Sequence, residues 1–337
     1  MVETLRGVAA LAVLLHHWTI CVKGFVTDPF MFALCEKMNI GVYIFFTISG
    51  FIMPYALYRG GYERTQFPKF VLKRILRLDP PFIVSILWCL GIAYLATLHP
   101  RYTGVPFVLD WSNLALHLLY LVPFFGETWV QGGIYWTLGI EFQYYLLLGL
   151  VFPLLIARRA WLAWGTLAGF TALCVFDEGY RFLFVLPYTP FFAAGMVTFL
   201  FRVGRVPQAA YLAVLALLTA LLLWRFEVHQ AAGCFSASLL IAYWRRPTAP
   251  LLFFGTISYS LYLFHFPVAL KAVNFLMRYD WAVRWNWLIV LLGCALCIGL
   301  AWVMYWVVER PSKRLAQSIR YGSALPVVPA LPSPTPS

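Results

Sequence analysis

From Trp285 to Val308 no charged side chain interrupts the chain, and comparable apolar stretches recur throughout the residues before it. A bilayer core of about 30 Å is crossed by roughly 20 apolar residues in a helix, because in lipid each segment must satisfy its own backbone N–H and C=O groups. The sequence therefore predicts an all-α fold, a polytopic transmembrane helical bundle of about 10 spans. The expected spans are 5–22, 39–58, 81–98, 135–157, 160–176, 184–201, 207–225, 229–244, 250–270 and 286–308. Pro187 and Pro190 interrupt the sixth, and the fifth and eighth are short. Only 11% of residues are charged, against about 25% in soluble domains.

A net charge of +12 would attract nucleic acid if it were gathered in one basic domain. Instead the Lys and Arg lie mainly in the short connections, so no nucleic-acid partner is expected. With the N-terminus in the cytoplasm, basic clusters at Arg59 to Arg77, Arg158 and Arg159, Arg202 and Arg205, Arg245 and Arg246, and Arg310 to Arg314 fall on the cytoplasmic side. The positive-inside rule then selects an N-in, C-in topology. The start imitates a signal peptide, but His16, His17 and Trp18 break its apolar core, which reads as an uncleaved signal-anchor.

Residues 1–320 read as one transmembrane domain, and 321–337 as a disordered Pro-rich tail. The seven cysteines are scattered. Cys294 and Cys297 read as packing residues, with no metal site expected, whereas Cys21 and Cys35 are placed so that they could pair in an oxidising compartment. The connection 99–134 has an amphipathic stretch from Trp111 to Phe125 that either lies on the membrane or re-enters it. No internal repeat is visible, which weakens a transporter reading.

The first span carries two expensive residues, Arg6 and His17, eleven positions apart. Eleven residues make three turns plus about 20°, so both fall on one stripe, about 16 Å apart along the axis, and His16 points roughly 80° away. Ionisable groups inside a membrane helix mark a substrate path or an active site.

Several blocks resemble the acyltransferase 3 family of integral membrane O-acyltransferases. They are LRGVAALAVLLHHW, which selects His17 over His16; GVYIFFTISGFIM, with Ser49 and Gly50; KRILRLDPPF; WTLGIEFQYYLL, with Trp136, Glu141 and Tyr145; ISYSLYLFHFPV; and VERP. Together they span about residues 3–314. Asp79 departs from the pattern, since the family more often has Tyr before that proline, and a carboxylate there was expected to reshape the basic cluster around Arg77.

The resemblance implies a membrane O-acyltransferase that moves an acyl group, often acetyl, from cytoplasmic acyl-CoA to a hydroxyl of an envelope glycan or lipid-linked sugar. Its setting would be the bacterial cytoplasmic (inner) membrane, with acyl-CoA as co-substrate and no bound cofactor. The oligomeric state is left open. Counting residues along the spans places His17, Glu141 and His265 at similar heights in the outer half of the bilayer. Arg6, Lys73, Arg74, Arg77 and Glu309 gather at the inner face.

Arg6, Lys73, Arg74 and Arg77 are thus expected to bind the donor's phosphates. His17 is expected to act as general base, oriented by Glu141. His265, Ser49, Trp136 and Tyr145 are acceptor-side or structural candidates. Plainer roles remain open: a topology anchor for the basic residues, helix packing for Ser49 and Glu141, and a satisfied interior histidine for His17. The alternative function is a secondary transporter or flippase with a His17/Glu141 proton relay.

Overall fold

The computed structural model describes residues 1–99, 106–125, 134–176, 185–244, 246 and 248–321. Among these the regular elements are all helical. They are α1 Val2–Ile20, α2 Pro29–Glu36, α3 Ile40–Arg59, α4 Phe67–Thr97, α5 Trp111–Leu118, α6 Val122–Phe125, α7 Trp136–Leu155, α8 Ala160–Ala172, α9 Thr189–Arg202, α10 Gln208–Arg225, α11 Val228–Tyr243, α12 Ala249–Leu276, α13 Trp281–Arg284, α14 Asn286–Met304 and α15 Arg310–Ser318.

The chain is a multi-pass helical membrane protein, and each expected span falls on a helix. Six stretches, containing α3, α4, α7, α10, α12 and α14, are long and apolar enough to cross a bilayer. The other four expected spans fall on α1, α8, α9 and α11. These are shorter or more polar, so length and composition alone do not carry the count of ten. The Pro-rich residues 322–337, and Arg245 from the basic connections, lie outside the described residues.

Two features of the bundle matter for the site. First, the basic block is not a connection. α4 starts at Phe67, with Pro68 in its first turn, and runs on through Pro80 and Pro81. Lys73, Arg74 and Arg77 therefore ride on the helix, and Arg74 and Arg77, three residues apart, share a face. Second, the stretch after Trp111 re-enters the bundle. Tyr120, at φ 57°, stacks between Phe82 and Phe142 and donates a 2.9 Å hydrogen bond to Asp79. Its buried backbone is packed against protein, the condition under which irregular structure is tolerated at depth.

α1 lies at the centre, against α12 and α3. Small residues let these helices touch through their backbones. A Cβ on Gly255 would run into the carbonyl oxygen of Glu3, and one on Gly7 into that of Leu251. Gly50 of α3 and Gly195 of α9 interlock in the same way, Gly50 against Phe192 and Gly195 against Thr47. Gly255→Val is accordingly expected to cost about 3 kcal/mol and to push α12 off α1. A thermal melt in detergent matching that of the unaltered protein would contradict this close approach.

Cys21 and Cys35 are free thiols. Cys297 is buried, with the Trp18 indole N–H 3.4 Å from its sulfur, as expected of a packing residue.

Candidate active site

The site consists of two polar layers on α1, one at each member of the Arg6–His17 stripe. Around Arg6 lies a cavity of about 490 Å³ between α1, α3, α4, α7, α12 and α15. Its walls carry the cations Arg6, Lys73, Arg74, Arg77 and Lys313 and the carboxylates Glu3, Glu141 and Glu309, set among apolar side chains such as Ile48, Ile52, Met53 and Leu78.

Most of these charges are already engaged. Glu309 is fully buried at the end of a single π-helical turn, Tyr305–Glu309, that joins α14 to α15. It accepts from Ser260 Oγ at 2.6 Å and pairs with Lys313 at 2.6 Å. Glu141 accepts from Ser49 Oγ and from the Tyr145 hydroxyl. Lys73 donates to the Ile319 carbonyl at 3.2 Å and sits over the Tyr321 ring, so its ammonium is committed to the segment after α15. Arg6 donates from Nε to Ser258 Oγ at 3.2 Å.

The guanidinium groups of α4 are different. Arg74 is 6% exposed, points Nη1 at the Met53 sulfur, and leaves its buried Nε without a partner. Among the described residues neither Arg74 nor Arg77 has a carboxylate within 4.0 Å. Asp79, expected to reshape this cluster, does not: two residues along a helix is about 200°, and its carboxylate meets Tyr120 on another face of α4. An interior guanidinium without a counter-charge is costly. Two side by side on one face of α4 put positive charge on the cavity wall that the nearby carboxylates do not pair.

The second layer is an imidazole pair. His17 Nδ1 lies 2.9 Å from His265 Nε2 and 3.1 Å from the Val13 carbonyl. The rings are tilted, with centroids 4.9 Å apart. His265 is 1% exposed, while His17 is partly accessible. The parallel packing of α1 on α12 brings the two together. His16 turns to the Cys35 carbonyl at 3.0 Å, as the 100° step between neighbours requires.

The expected Glu141–His17 pairing is not what the structure brings together. Thr137 on α7 meets Tyr262 on α12 at 2.7 Å. Glu141 lies four residues further toward Arg6 and His265 three residues the other way, an axial separation of about 10 Å. Residue counting from estimated span ends put both at one height, and an error of a few residues in each end is enough to account for that. The cavity around Arg6 does not include His17 among its described lining residues. On the side nearer the histidines its lining includes Val42, Phe45, Thr137, Leu138 and Tyr262, and His265 is not among the lining residues either.

Trp136, at the start of α7, is an aromatic wedge beside Phe46 and Tyr188 and does not line the cavity. Ser258, Thr137 and Tyr262 were not singled out from the sequence. Hydroxyls in an apolar helix are too common to stand out until their partners are known.

The match to known proteins decides the family. The description "Acyltransferase domain" fits residues 2–306. The chain belongs to the acyltransferase 3 family. Nodulation protein 10 of Rhizobium leguminosarum bv. viciae is 26% identical over 320 residues, covering 83% of each chain. No solved structure matches. As an acyltransferase 3 protein the chain is a membrane acyltransferase, requiring an acyl donor, an acceptor and a bilayer.

Proposed function

We propose that this acyltransferase moves an acyl group, acetyl in the simplest case, from acyl-CoA at the Arg6 end of α1 to a hydroxyl of an envelope glycan or lipid-linked sugar near His17. The observation that carries the reading is the pair Arg74 and Arg77 on the cavity wall, neither with a carboxylate within 4.0 Å and Arg74 with a buried Nε left unpartnered, while the wall's carboxylates Glu141 and Glu309 have other partners. A nucleotide phosphate supplies the missing charge through planar, bidentate pairing. The apolar walls suit the pantetheine arm. With the N-terminus in the cytoplasm, as the basic connections favour, the donor enters from the cytoplasmic side of the bacterial inner membrane.

His17 takes the acceptor hydroxyl proton at Nε2 while the hydroxyl oxygen attacks the thioester carbon. The C–O bond forms, the C–S bond breaks, and the departing thiolate recovers the proton from the imidazolium. Glu141, held by Ser49 and Tyr145, serves the donor cavity rather than the base. A His17/Glu141 proton relay loses its motive, because each group has its own partners about 10 Å apart along the axis.

The thioester must pass the Tyr262–Thr137 contact on the side of the cavity nearer the histidines. Tyr262→Phe removes that bond and the one to the Ile134 carbonyl. With each of the two hydrogen bonds worth about 1 kcal/mol, acceptor-independent acetyl-CoA hydrolysis is expected to rise by about 30-fold. An unchanged ratio of hydrolysis to transfer would remove Tyr262 as the partition.

The function itself is tested with protein in lipid nanodiscs, following CoA release from acetyl-CoA, together with mass spectrometry of envelope glycans from cells with and without the gene. Acyl-bearing glycans only in the first cells are expected. A protein that moves solute and never consumes acyl-CoA would overturn the reading.

A further inference from the structure

We infer that His265 is a positioning residue that locks His17 in the tautomer bearing its proton on Nδ1, leaving Nε2 bare. The inference deepens the reading of His17 as base and depends on it for its catalytic meaning, though the tautomer itself can be observed without any turnover.

The hydrogen-bond pattern admits one consistent assignment. His265 Nδ1 lies 2.9 Å from the Leu261 carbonyl and 2.8 Å from the Tyr262 carbonyl. Carbonyl oxygens only accept, so this nitrogen carries a proton. His17 Nδ1 faces the Val13 carbonyl at 3.1 Å as well as His265 Nε2 at 2.9 Å. A lone pair there would oppose the lone pairs of the Val13 oxygen. His17 Nδ1 therefore carries the proton and donates, and His265 Nε2 accepts. Each ring then has one N–H, and the nitrogen left without one on His17 is Nε2.

Among the described residues, no carboxylate, Lys or Arg side chain is hydrogen-bonded to the pair. His16, Val13 and Trp18 stand on α1, Tyr262 and Phe266 on α12, and Cys297 reaches over from α14. The Val13 carbonyl, at 3.1 Å, favours the same tautomer, and His265 at 2.9 Å adds the shorter contact and the only side-chain acceptor among the described residues around His17 Nδ1. In catalytic triads a carboxylate performs this service, and enforcing the wrong tautomer costs orders of magnitude in rate. Here a neutral imidazole, itself oriented by two backbone carbonyls of its own helix, does so without introducing a charge into the membrane interior.

The geometry also fixes the direction of approach. Nε2 is on the ring edge away from Nδ1 and hence from His265, so the acceptor hydroxyl arrives on that edge. When Nε2 takes the proton, the Nδ1–H remains shared with His265, which stabilises the imidazolium through the attack on the thioester.

The test uses the full chain, labelled with 15N-histidine and held in nanodiscs, with His17 resonances identified by their loss in His17→Gln. The unaltered protein is expected to show His17 protonated at Nδ1 and bare at Nε2. His265→Leu leaves only the Val13 carbonyl facing Nδ1 and should raise the fraction of His17 protonated at Nε2, with kcat for CoA release from acetyl-CoA, measured with the total envelope glycan fraction, falling at least about tenfold and KM for acetyl-CoA unchanged. His265→Gln, whose carboxamide oxygen can accept where Nε2 did, should restore both the spectrum and most of kcat. A His17 protonated at Nε2 in the unaltered protein, or a His265→Leu variant with unaltered spectrum and kcat, would overturn the inference. Full activity in His17→Gln would instead overturn the base reading while leaving the tautomer measurement standing.

Discussion

Replacing His17 by alanine is expected to lower acyl transfer by about 10²- to 10⁴-fold, the range that a positioned general base contributes. Donor binding should survive, because His17 does not line the cavity that holds Arg6, Arg74 and Arg77. Removing a partly accessible side chain near the end of α1 leaves the Gly7–Gly255 contact untouched, so the protein should insert and accumulate normally. The measurement is acetyl-CoA affinity and CoA release side by side on the purified variant. Loss of donor binding together with rate would show that the two layers are not separable. Retained full activity would remove His17 from the chemistry. His16→Ala is the control: its ring is turned to the Cys35 carbonyl, and transfer should fall by no more than about fivefold, the scale of one lost hydrogen bond.

Arg74→Met carries the second large expectation, and its two effects have opposite signs. In the absence of donor the variant should melt at a higher temperature, because a buried guanidinium with an orphaned Nε and no carboxylate is replaced by a side chain of similar length that suits Met53, Phe70 and Tyr145. In its presence acyl-CoA should bind about 10- to 100-fold more weakly, the loss of a charge-assisted bond worth about 1.5–3 kcal/mol. Stability gained and affinity lost in one substitution is the mark of a charge kept for a ligand. A variant that melts lower and binds equally well would show that Arg74 holds the fold instead. Lys73→Met should have the smaller effect on affinity, since Lys73 is engaged by Ile319 and Tyr321.

The contrast between Glu141 and His265 shows where reading the chain stops working. Both lie in apolar helices, and both counted to nearly the same depth as His17. Depth along one helix follows from a fixed rise of 1.5 Å per residue. Depth across helices needs the true start of each one, and an end misplaced by three or four residues moves a side chain by a full turn. The crossing of α7 with α12 at Thr137 and Tyr262 settles the matter, and nothing local to either segment encodes it. α4 makes the same point. Its prolines and its basic block argue for a boundary near residue 80, yet the helix continues, and the cations are thereby turned toward the cavity rather than left in a connection.

What could be known from the residues was whatever depends on one segment at a time. The apolar runs demanded membrane helices, the eleven-residue spacing put Arg6 and His17 on one stripe, and the order of short blocks pointed to the acyltransferase 3 family. Backbone hydrogen bonding and helical periodicity are local, so these features survive without a fold. The choice of His265 over Glu141 as the partner of His17, the orphaned Arg74, the inward turn at Tyr120 and the Tyr262–Thr137 bond all depend on contacts between helices distant in sequence. Those contacts are set by glycine-mediated close approach and side-chain interlocking, and only the assembled bundle decides them.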